Sequence, residues 1–151
     1  MPKAVNFDEY GGVKADELGA ALDSLSSARG RSLWETMQEI FAAAPEHLEI
    51  VHAELPALIR AGDRGSVIAR DHLVRILALL MADSRFADDA VPVYLATLGD
   101  SPDNQFPMYA ELGAPVVPEP ELDEFERLLI ERLSQLSEPK QRRVNAVLKK
   151  L

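Results

Sequence analysis

The sequence predicts an all-α fold assembled from helical hairpins, and three observations carry that expectation. Apolar residues recur at i, i+3, i+4 and i+7 in successive segments from Asp16 to Leu151. Strand-like character is confined to residues 1–14, where Ala4, Val5 and Phe7 precede a Gly11-Gly12 break. Prolines and turn residues then punctuate the rest of the chain at intervals that repeat.

Taken in order, Asp16 can cap a first helix carrying Leu18, Ala21, Leu22 and Leu25, which Ser26, Ser27 and Gly30 end. Ser32 can cap a second, with Leu33, Met37, Ile40 and Phe41 on one face and Pro45 beyond it. A third is expected over 46–61, with Leu48, Val51, Leu55, Leu58 and Ile59 apolar and Pro56 in its interior. A fourth covers 66–82; Leu73, Ile76 and Leu80 widen its apolar surface, so it should be buried on two sides. Asp88 or Asp89 opens a fifth, with Val91, Tyr94, Leu95 and Leu98, ending at Gly99. A short sixth is expected over 103–112. The stretch Ala114 to Pro120, APVVPEP, reads as an extended connector because each residue before a proline is driven from helical backbone. A seventh helix over 122–136 should bury Phe125, Leu129, Leu133 and Leu136. The eighth starts at Pro139, where a helix loses no donor, and places Val144, Val147, Leu148 and Leu151 on one face.

A chain of 151 residues suits one domain with a substantial core, here expected over 15–151 after an arm at 1–14. There is no cysteine, which removes disulfides, thiol nucleophiles and thiolate metal sites and fits a reducing, cytoplasmic setting. The longest apolar run, Ile76 to Ala82, is too short to cross a bilayer, so no membrane role is expected. The net charge of −9 argues against a general nucleic-acid binder. That charge is uneven. Glu119, Glu121, Asp123, Glu124 and Glu126 crowd one stretch, whereas Lys140, Arg142, Arg143, Lys149 and Lys150 fill the tail.

Internal repetition explains the prolines. Pro56 and Pro92 lie 36 positions apart, Asp63 and Asp100 lie 37 apart, and Pro102 and Pro139 lie 37 apart. Arg70 and Arg143 are separated by 73, close to two periods. These matches describe a two-helix unit repeated about four times, and such a unit must stack on its neighbours to bury its apolar face. A proline inside the first helix of a unit would bend it around the second.

The stretch LPALIRAGDRGSVIAR, with Leu55, Pro56, Asp63, Val67 and Arg70 in order, resembles the HEAT repeat. VPVYLATLGD supplies Val91, Pro92 and Asp100, and LLIERLSQLSEPKQRR keeps Arg143 with Ser137 at the turn position. The resemblance covers 46–151 and implies a short right-handed α-solenoid of about four stacked hairpins preceded by a non-helical arm. It also implies structural roles for Pro56, Asp63, Arg70, Pro92, Asp100 and Arg143, with Arg70 pairing to Asp63 or Asp100 in a ladder between repeats. Separately, KAVNFDEYGG, Lys3 to Gly12, is similar to the opening of medium-chain dehydrogenase/reductase (quinone reductase-like) proteins. No dinucleotide-binding Gly-x-Gly-x-x-Gly follows it.

Signals for chemistry are weak. His47 and His52 are five positions apart, about 140° around a helix, and cannot chelate one ion from a shared face. GDRGS, Gly62 to Ser66, lacks the lysine and preceding strand of a phosphate loop. No Gly-x-Ser-x-Gly elbow is present. No catalytic residue, metal site or cofactor is therefore assigned. Trp34, Tyr94, Phe106, Tyr109 and Phe125 are the aromatic anchors available; Trp34 and Phe125 fit core spacing, while Phe106 and Tyr109, beside Pro107, are expected partly exposed. With Arg31, Glu35, Asp71, Arg75, Arg142 and Lys149 on second helices, Phe106 and Tyr109 form the candidate partner-binding set. The expected function is non-catalytic protein binding by a monomer or weak oligomer. The alternative is nucleic-acid binding of the kind found in HEAT-like alkylpurine DNA glycosylases.

Overall fold

In the computed structural model, residues 15–151 are described, with side chains from Leu18 onward. The expected N-terminal arm, with its reductase-like stretch, and the Asp16 cap lie outside the described backbone or side chains. Every regular element among the described residues is helical. The α-helices are α1 (Ala15–Ser24), α2 (Gly30–Ala43), α3 (Leu48–Ala53), α4 (Leu55–Arg64), α5 (Val67–Met81), α6 (Ala87–Asp100), α7 (Phe106–Gly113), α8 (Leu122–Leu133) and α9 (Glu138–Lys149). Short 3-10 turns at Ala44–Glu46 and Glu119–Glu121 join them. The chain contacts divide into two compact units, Met1–Leu79 and Leu80–Leu151.

In the first unit α1 packs on α2, and the Ala44–Glu46 turn leads from α2 into α3, which packs on α4. The apolar spacing holds: Leu33, Met37 and Ile40 of α2, Leu58 of α4 and Leu73, Val74, Ile76 and Leu77 of α5 are all fully buried. Two local features differ from expectation. Ser32 does not cap α2 from outside; the helix starts at Gly30, whose φ of +57° is a left-handed value that glycine adopts at little cost. Ser32 is instead the third helical residue, and its Oγ accepts the Arg29 N–H at 3.2 Å.

The helix expected over 46–61 is two helices, broken at Glu54 (φ −102°, ψ 15°). Pro56 is thus the second residue of α4, where its missing N–H would have had no helical acceptor anyway. It does not bend a helix. α4 also continues through the expected turn, so Asp63 is an exposed residue of its last turn. Pro92, by contrast, is internal to α6 and deprives the Asp88 carbonyl of its donor. Both residues are solvent-exposed, which leaves water to replace the bond.

The second unit contains two hairpins, α6–α7 and α8–α9. α6 packs on α7 and α8 packs against α9; across the hairpins, α6 meets α8 and α7 meets α9. First helix rests on first helix and second on second. Tyr94 of α6 fills the centre: its ring lies 6.2 Å from that of Phe125 on α8, and its hydroxyl donates to the Tyr109 carbonyl of α7 at 2.6 Å. Burial pushes this phenol well above the usual tyrosine range. Gly113, at the end of α7, abuts the same ring so closely that any Cβ there would collide with it. The segment after α7 is a pair of turns that bury Val117, in place of an extended connector.

Candidate functional site

Helix C-termini leave their last carbonyls without helical donors, and in both units an arginine of the following hairpin supplies them. In the second unit Arg132, on the last turn of α8, donates through Nη2 to the Gly99 carbonyl and through Nη1 to the Ser101 carbonyl, each at 2.8 Å. Its Nη1 also lies 3.2 Å from Asp103 Oδ1, and its guanidinium stacks 4.4 Å over the Phe106 ring. The side chain is only 14% exposed. A cation at this position also complements the negative end of α6. Ser101 itself is buried and satisfied, with its Oγ donating to the Leu98 carbonyl at 2.7 Å.

In the first unit Arg64, the last residue of α4, donates through Nη2 to the Leu25 carbonyl just beyond α1. The two arginines repeat one device: the end of a later first helix holds the end of an earlier one. Second helices are tied separately. Arg143 of α9 makes a forked pair with Glu111 of α7, Nε to Oε2 at 3.0 Å and Nη2 to Oε1 at 2.5 Å. The carboxylate holds the Arg143 guanidinium above its ordinary value. Arg143 is thus tied across the hairpins to a second-helix glutamate, in place of the turn aspartate that the resemblance implied. The expected pairing of Arg70 with Asp63 or Asp100 is not formed: Arg70 has no ion-pair partner among the described residues, and both aspartates are exposed.

Where α6 ends, α7 begins and α8 passes, the surface opens into a groove of about 260 Å³ lined by Gly99, Phe106, Leu128, Glu131, Arg132 and Gln135. Leu128 is half-buried along it, while Phe106 lies fully buried beneath the Arg132 guanidinium. One wall carries Glu131, whose Oε1 accepts from Arg127 at 2.5 Å while Arg127 also donates to both oxygens of Glu124. Ile130, beside it on α8, is 55% exposed.

The predicted partner-binding residues fare unequally. Phe106 and Tyr109 are 0% exposed, against the expectation of partial exposure. The reason is register: α7 starts at Phe106, so Phe106, Tyr109, Ala110 and Gly113 share its core face at i, i+3, i+4, i+7, and Pro107 falls harmlessly in the first turn. Arg31 and Glu35 form an i, i+4 pair on α2 at 3.4 Å, with Arg31 81% exposed. Arg142 pairs with Glu138 at 3.1 Å on α9, and Lys149 is exposed in its last turn. Asp71 and Arg75 are half-buried on α5 and flank His72. Burial, and then Arg75, hold the His72 imidazole below its ordinary range despite Asp71, and its buried Nδ1 has no hydrogen-bond partner. The Phe41 ring lies 6.2 Å from it. Trp34 is half-buried and Phe125 fully so.

Arg132 and Arg64 were not singled out from the sequence. Arg132 did leave a signal, since it shares the stripe of Phe125, Leu129 and Leu136, where a charge requires a buried acceptor. Among the described residues no group of His, Asp or Glu is arranged to hold a metal ion, and no helix is long and apolar enough to cross a membrane. Comparison of the chain with protein-family profiles, with curated proteins and with solved structures gave no match.

Proposed function

We propose that this chain is a non-catalytic protein-binding module of helical-hairpin repeats, a short right-handed solenoid of HEAT type. The observation that carries this reading is the contact pattern of the second unit, where first helices meet first helices and second helices meet second. That is the neighbour relation of a repeat stack, whose use in proteins is to present extended surface. The repeated arginine hold of Arg64 and Arg132 supports the same reading, because equivalent places in the second and fourth hairpins make equivalent contacts with an earlier first helix. Nucleic-acid binding is the weaker alternative. Arg31, Arg142 and Arg143 are engaged by Glu35, Glu138 and Glu111, which lowers the positive charge they offer to phosphates.

Affinity capture from the native cell tests the reading, with the wild-type chain and an Arg31→Glu, Arg142→Glu, Lys149→Glu variant as baits. The expected result is a protein retained by the wild type and reduced by the reversals. Retention of DNA instead, lost as salt is raised, would replace the proposal with the alternative.

A further inference from the structure

We draw no further inference here: the strongest candidate, the exposed apolar patch of Val67 and Ile68 at the start of α5, is an unpartnered helix face, and nothing in the structure shows what covers it.

Discussion

Arg132→Ala is the perturbation whose cost can be worked most fully from the structure. Two charge-assisted hydrogen bonds at 2.8 Å are lost, to the Gly99 and Ser101 carbonyls. Bonds of that class contribute about 1.5–3 kcal/mol each where water cannot compete. Gly99 is exposed, so its carbonyl rehydrates, and the pair is placed below that range, at about 2 kcal/mol together. The guanidinium stacked 4.4 Å over Phe106 adds about 0.5–1 kcal/mol. The contact with Asp103, a half-exposed carboxylate, adds a few tenths at most, roughly. The total is about 3 kcal/mol, or a fall in Tm of about 6–12 °C for a chain of this size. Arg132→Lys keeps the charge but loses the fork that reaches two carbonyls at once, and should recover less than half. Urea unfolding followed by circular dichroism measures both. A loss for Arg132→Ala within about 0.5 kcal/mol of zero, the range of ordinary surface substitutions, would refute the reasoning. So would complete rescue by lysine.

Three further outcomes are expected. Tyr94→Phe should cost about 1 kcal/mol, because the Tyr109 carbonyl loses one donor; it should also leave the ultraviolet phenolate step near the usual tyrosine pH unchanged, since the Tyr94 phenol is held above that range. Gly113→Ala should destabilise by about 1–3 kcal/mol in urea titration, as the new methyl must displace the Tyr94 ring from a filled core. Lowering the pH should weaken the fold through His72. Its folded pKa is below the ordinary 6.5, so the unfolded chain takes up the proton first. Stability should therefore be level above about pH 6.5 and decline as pH falls from there towards the folded value. The urea midpoint of His72→Phe at pH 5 and 7.5, compared with that of the wild type, isolates this contribution.

What the sequence disclosed follows from which interactions are periodic. Burial of a helix face imposes 3.6-residue spacing, so α2, α5, α8 and α9 were legible from Leu33 and Met37, Leu73 and Leu77, Phe125 and Leu129, and Val144 and Val147. Proline position was not. Pro56 and Pro92 sit in similar apolar surroundings, and only the break at Glu54, which no glycine or proline announces, makes one initial and the other internal. Pro107 marks Phe106 and Tyr109 as exposed in the sequence, yet α7 starts at Phe106, three residues after the expected start, and takes that proline in its first turn with both rings on the core face. The carbonyl contacts of Arg64 and Arg132 are set by where separate helices end in space, and sequence spacing does not encode such meetings. The candidate groove was illegible for the same reason: it lies where three elements converge around Gly99.

Because the chain has no cysteine, spin labels can be placed without background. The most direct test of hairpin-on-hairpin stacking uses labels on cysteines introduced at Glu111 and Arg143, the exposed residues that join α7 to α9. Packed helices have axes about 8–10 Å apart, so the doubly labelled protein should show a spectrum broadened by strong dipolar coupling. A spectrum that superimposes on the sum of the two singly labelled ones would contradict the stack.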